Sequence, residues 1–197
     1  MTLVPDSNEL RKHIWHSLGL NHVYRGQQRG AKGKNEDAST DYNEAIGYYR
    51  QVIEDDPQYV EAFDNMGNTY IELAKISPDN KKKQLEYIDN AIKCYDDAIK
   101  KRVERARQWW ATFHFDKARA LALSIDEDDK RKDLDEVVEE VEKELNKTID
   151  AVVPEPVGFD DLNTVFQDFK NVKAYDKINR LLECLREVIL QARLKGD

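Results

Sequence analysis

A chain of 197 residues with a formal net charge of −8 and a pI near 5.2 has no basic surplus for holding polyanions, which argues against a general binder of nucleic acid or anionic lipid. Charged residues make up 36% and hydrophobic residues 40%, a balance that suits amphipathic helices with solvated outer faces. Only 8 Gly and 5 Pro punctuate the sequence, too few for an all-β protein built on many tight turns.

The first element expected spans Asn8 to Tyr24, with Leu10, Ile14 and Leu18 on one stripe and Trp15 and His22 beside it. Arg25 to Thr40 contains Gly26, Gly30 and Gly33 and four cations, and reads as a loop. A second helix begins near Asp41, buries Ala45, Ile46, Tyr49, Val52 and Ile53, and stops at Pro57. Tyr59 to Ile76 is the third, closed by Ser77-Pro78. Asp79 or Asn80 then caps a fourth that carries Leu85, Ile88, Ala91, Ile92, Tyr95, Ala98 and Ile99. A third pair spans Val103 to Ser124 and Asp128 to Val152, and a fourth joins a short helix near Asp160 to Lys170 to a longer one near Ala174 to Lys195. Cys94 and Cys184 are isolated thiols within these helical patterns, expected to behave as small buried hydrophobes.

Across these elements one pattern returns. Trp15-x-x-Leu18-Gly19-x-x-His22 is followed by Phe63-x-x-Met66-Gly67-x-x-Tyr70, then by Trp109-x-x-Thr112-Phe113-x-x-Asp116 and Phe159-x-x-Leu162-Asn163-x-x-Phe166. Residues 15, 63, 109 and 159 recur at a near-constant period, the mark of a stacked helical array. Gly19 and Gly67 remove a side chain where two helices approach, Ala45, Ala91 and Ala98 do so on the facing helix, and Tyr49, Tyr70 and Tyr95 fill the adjacent hollows. The pattern resembles the tetratricopeptide repeat (TPR) family, whose first helix carries W-x2-L-G-x2-Y and whose second carries Ala and a bulky aromatic before a Pro. Phe63, Met66, Gly67, Tyr70, Ala91, Tyr95 and Ala98 match it in one unit, and Trp15, Leu18, Gly19, Ala45, Tyr49, Val52 and Pro57 in another. The departure is length: the familiar repeat is about 34 residues, and these units are longer. The resemblance implies an all-α, right-handed superhelical stack of about four antiparallel hairpins, as a single domain over 1–197 with units near 8–57, 58–102, 103–154 and 157–195.

In the TPR family the first helices line a concave channel that holds peptides. Carried over, that face presents His16 and Leu20, then Asp64, Asn65 and Asn68, then Arg107, Trp110, His114 and Lys117. The carboxylate clamp of chaperone-binding members is matched only at Asn65, with Arg107 keeping the charge, so a clamp is not expected. His13 and His16 lie three apart on one helix, but no third ligand follows at a fixed spacing and no HExxH motif occurs. No G-x-S-x-G motif, Walker loop or activated Cys/His pair is present. The acidic run from Asp126 to Glu144 reads as a solvated, ion-paired helix face.

The expectation is a non-catalytic scaffold or adaptor with no metal or cofactor, binding a protein or peptide rather than nucleic acid. The N-terminus lacks a signal-peptide pattern, and no stretch approaches the roughly 20 apolar residues of a membrane span, so the expected location is cytoplasmic. The alternative is a homodimer formed through the final helix, whose stripe includes Leu181, Leu185 and Ile189.

Overall fold

In the computed structural model the described residues are 7–101, 110–125, 133–151, 169 and 176–195. They form α1 (Ser7–Gly30), α2 (Asn35–Asp55), α3 (Val60–Lys75), α4 (Lys81–Lys101), α5 (Trp110–Leu123), α6 (Leu134–Ala151) and α7 (Asp176–Lys195). The fold is all-α. The chain divides into two compact units, Met1–Lys101 and Arg102–Asp197.

In the first unit α1 packs against α2, α3 against α4, and α2 against α3. Each hairpin is closed by a glycine under a tyrosine. A Cβ at Gly19 would lie 2.5 Å from Cε1 of Tyr49, and one at Gly67 would lie 2.6 Å from Cε1 of Tyr95. Both rings are fully buried, so neither can swing aside, and only glycine lets the axes come this close. Gly26 repeats the contact with Tyr42, two turns further along α1 and two turns back along α2. Ala62 of α3 then joins Ala45, Tyr49 and Val52 of α2 in one core cluster, with Trp15, Val23 and Met66 packed on it.

The stretch expected as a loop is mostly helix. α1 runs on to Gly30, four residues turn the chain, and α2 starts at Asn35. The glycines in this stretch are not all breakers. Gly26 is a close-approach site, Gly30 faces Ile76 and Ala38, and only Gly33, at φ +72°, turns the chain. Nor is Asp41 a cap. It lies six residues inside α2, fully buried, and accepts hydrogen bonds from Arg25 Nε and Arg29 Nη1, each at 2.7 Å. At the other end of the hairpin Lys12 Nζ pairs with Asp56 and Arg11 with Asp55, at 2.8 and 2.9 Å. Ion pairs at both ends and Gly–Tyr contacts between them set the register of α1 on α2.

A second difference concerns which face of α1 is buried. Leu10, Ile14 and Leu18 lie outside, exposed, while Gly19 and Gly26 are buried with Trp15 and Val23 partly so. The second hairpin follows expectation closely. α3 covers the predicted span, and Asn80 Oδ1 accepts from the Lys83 N–H at 3.1 Å as the cap of α4.

In the second unit α5 and α6 form an antiparallel pair and α7 packs against α6. Phe113, Phe115, Val141, Leu145, Ile178, Leu182 and Leu185 are buried, and the ring of Phe115 sits 5.6 Å from that of buried Phe169. The predicted short helix near 160–170 lies outside the described residues apart from Phe169, as does Trp109. Cys94 is buried as expected, and burial pushes its thiol up to about 12. Cys184 is exposed, contrary to expectation, because it falls on the solvent side of α7 between buried Leu182 and Leu185.

Candidate functional site

The sequence points to the faces of the first helices, and in the first unit α1 and α3 bring two of those residues into contact. Asn65 Nδ2 meets His16 Nε2 at 2.9 Å. An amide nitrogen only donates, so Nε2 accepts and the ring proton sits on Nδ1. That assignment agrees with the electrostatics, because burial lowers the His16 pKa, against the pull of Glu61 and with the help of His13. The ring is therefore neutral at pH 7. It packs on Tyr59 and Tyr49, with centroids 5.2 and 5.9 Å away. His13, three residues earlier, lies 3.5 Å from Glu9 and stands edge-on to the same Tyr59 ring, with centroids 6.1 Å apart.

One turn along α3 the buried tyrosine beneath Gly67 reaches a side chain of the same face. Tyr95 donates its hydroxyl to Asn68 Oδ1 at 3.0 Å, and Asn68 Nδ2 in turn reaches Asp64 at 3.3 Å. The matching tyrosine in the first hairpin, Tyr49, is buried and its hydroxyl has no hydrogen-bond partner among the described residues. The reason is in the repeat register. The residue after Gly67 is Asn68, whereas the residue after Gly19 is Leu20, which lies exposed and offers no acceptor. Asp64 lies close enough to Tyr49 to add to the burial that raises its phenol pKa. The face thus combines an exposed leucine with the partly exposed His16, Asp64, Asn65 and Asn68, all on helices fixed by buried tyrosines.

The second unit treats its predicted site residues differently. His114 and Lys117 of α5 both turn to Glu144 of α6. The His114 Nδ1 lies 2.5 Å from Glu144 Oε2, and Lys117 Nζ reaches Glu144 and Glu140 at 3.5 and 3.0 Å. Lys147 adds a second ammonium group at 2.9 Å. Burial pushes the Glu144 carboxyl up, but hydrogen bonds from His114 and Lys147 and the charge of Lys117 outweigh it and hold the group at about 2. His114 and Lys117 are thereby committed within the hairpin, and Lys117 is itself buried. Arg107 and the side chain of Trp110 lie outside the described residues.

Glu144 and Asp41 are the residues that reading for motifs missed. Both had a signal. Glu144 falls on the stripe Val137, Val141, Thr148, and Asp41 on the stripe Ala38, Ala45, Tyr49, so each carboxylate occupies a position that periodicity assigns to the core. A charge there must be paired. Among the described residues no group of three or more His, Cys, Asp or Glu is placed to hold a metal ion, and no helix is long and apolar enough to cross a membrane.

These features define an all-α protein of helical hairpins in which repeated Gly–Tyr contacts set the spacing. No family model matches the chain, and no curated protein matches it. Among solved structures the chain is similar to a thermophilic TPR protein of Thermus thermophilus, at 13% identity and a TM-score of 0.49. The match covers 90% of this chain and 96% of that one.

Proposed function

We propose that this chain is a non-catalytic scaffold or adaptor that binds a protein or peptide along the face shared by α1 and α3. The observation that carries the proposal is the direct His16–Asn65 contact between the two first helices. It joins two repeats into one surface, on which Leu20 supplies an apolar contact and Asp64, Asn65 and Asn68 supply hydrogen-bonding groups. Helix-borne side chains held by buried tyrosines lose little freedom on binding, which favours recognition of an extended segment. The TPR resemblance of the sequence supports the same face. In this reading Arg107 and Trp110 take the corresponding role in the second unit.

The ligand expected is a segment with an apolar anchor for Leu20 and donors for Asp64. Affinity capture with the wild-type chain and an Asp64→Ala/Asn65→Ala variant, read by mass spectrometry, tests the proposal. Partners enriched on the wild type should fall at least tenfold on the variant. Equal recovery of every partner would sink it.

A further inference from the structure

The contact that joins the two repeats depends on a proton. His16 Nε2 and Asn65 Nδ2 lie 2.9 Å apart, a distance at which one nitrogen must accept and the other donate. The neutral ring supplies a lone pair on Nε2, and the amide supplies the N–H. A protonated ring carries N–H on both nitrogens, so donor would face donor and the contact cannot persist as it stands. Asn65 has a remedy of little steric cost. Turning its amide by half a rotation puts Oδ1 where Nδ2 was, because the two ends of the group have nearly the same shape. Among the described residues no hydrogen bond to Oδ1 would be broken by the turn.

The surroundings also hold a counter-charge for the protonated ring. Glu61 lies one turn before Asn65 on the same face of α3, and its Oε2 is buried with no hydrogen-bond partner among the described residues. Burial lowers the His16 pKa most strongly, Glu61 pulls it back up, and His13 pushes it down. The other groups near the ring are engaged elsewhere or stay neutral. Lys12 Nζ stands over the Tyr59 ring and pairs with Asp56 and Glu9 at 2.8 and 3.0 Å. His13 lies beside Glu9, and Asp64 accepts from Asn68. Tyr49 keeps its phenol proton, since burial and the charge of Asp64 raise its pKa. Glu61 is thus the carboxylate that acts on the His16 ring.

We propose that His16 is a proton-operated switch on the binding face: protonation turns the Asn65 amide, so that Asn65 offers a ligand an acceptor when the ring is neutral and a donor when it is charged. The amide is planar, so while Nδ2 faces the ring Oδ1 faces away from it. Beside Asp64, that oxygen adds a second acceptor for the donors of a bound segment. Once the amide turns, Nδ2 meets those donors with a donor, and the segment is released. Release by acid rests on the α1–α3 face being the binding surface, whereas the amide turn does not.

Nuclear magnetic resonance of the full chain, labelled with nitrogen-15 and titrated downward from pH 7.5, tests the switch. At the start Nε2 of His16 is expected to be unprotonated, with nuclear Overhauser contacts between the Asn65 side-chain NH2 and the ring. Below about 6.5 the ring should protonate, and those contacts should vanish with the same midpoint. Glu61→Gln should move the midpoint to lower pH and His13→Gln to higher pH. His16→Gln, whose side-chain oxygen accepts from Asn65 at every pH, should hold the amide unturned throughout. An Asn65 NH2 indifferent to pH overturns the proposal, as does one that turns equally in His16→Gln. For release, a partner held at pH 7.5 should dissociate at the pH where the ring is charged at least about tenfold more from the wild type than from His16→Gln. Equal retention by the two overturns the regulation. Equal capture at pH 7.5 by the wild type and the Asp64→Ala/Asn65→Ala variant would sink the binding face instead, and the titration would still decide whether the amide turns.

Discussion

Two tyrosines in equivalent places make opposite demands on their surroundings. Tyr95 and Tyr49 each lie beneath a glycine, yet one hydroxyl is bonded to Asn68 and the other meets no partner among the described residues. Removing the bonded hydroxyl, Tyr95→Phe, should cost about 1 kcal/mol, and Tyr49→Phe should be neutral or slightly stabilising. Urea melts of the two variants separate them, and equal losses would contradict the assignment. Gly19→Ala is the sharper change. Its methyl would enter the Tyr49 ring, which the core holds in place, so about 1–3 kcal/mol should be lost through overpacking. At Gly47, where nothing lies within 4 Å of an added Cβ, alanine should instead stabilise by a few tenths to about 1 kcal/mol, since a helix-interior glycine is replaced without a clash.

At the scale of elements, two buried carboxylates clamp two hairpins. Asp41 holds the last turns of α1 to α2, and Glu144 holds α5 to α6. Replacing Glu144 by Leu strands His114 and Lys117 against a buried surface and should cost about 3–5 kcal/mol. Acid tests the same groups without mutation. Both carboxyl pKa values are depressed in the folded chain, Glu144 to about 2, so the stability they supply is complete above the ordinary carboxylate pKa and is lost as pH falls from there toward 2. His16 acts in a different window with a related sign. Its folded pKa is lowered, so the unfolded chain takes the proton first, and stability begins to fall as pH drops below about 6.5. Chemical denaturation at pH 7.5, 5.5 and 3.5 should show two successive losses, and His16→Gln should remove the first alone. A single loss in both proteins would refute the role given to His16.

The clamps also show what the sequence could convey about these elements. Helix positions, the Gly19 and Gly67 contacts and the buried tyrosines are legible because glycine and aromatic spacing reports a steric requirement directly. The span from Arg25 to Thr40 misleads because its glycines and cations look like a loop, when Gly26 serves Tyr42 and Arg25 and Arg29 serve Asp41. Their partners lie on another helix, and local composition cannot display them. The face of α1 misleads for a different reason. Period alone locates an apolar stripe without saying whether anything covers it, and in α1 the covered side is the one with the glycines. Of the predicted groove, Asn65 and His16 are found in contact, whereas His114 and Lys117 are drawn to Glu144, whose identity as a buried acid only the register hints at.

For the whole molecule, the boundary at Lys101–Arg102 has an energetic consequence. The first unit builds its interior from its own helices: Tyr42, Tyr49, Tyr95, Ile71 and Leu73 are all almost completely buried, and the cluster of Ala45, Tyr49, Val52 and Ala62 joins its two hairpins. A fragment of about 100 residues with such a core is large enough to fold alone. Because α2 and α3 pack directly, its two hairpins should not melt separately, as stacked units coupled through an interface unfold together when that interface is strong. The fragment 1–101 should therefore give one thermal transition with coincident far-ultraviolet and tyrosine signals. Ala62→Asp, which places a charge in the α2–α3 contact, should split or abolish it. Two transitions in the unaltered fragment would mean that each hairpin stands by itself, and the α1–α3 surface would then lack the rigidity that the proposed binding requires.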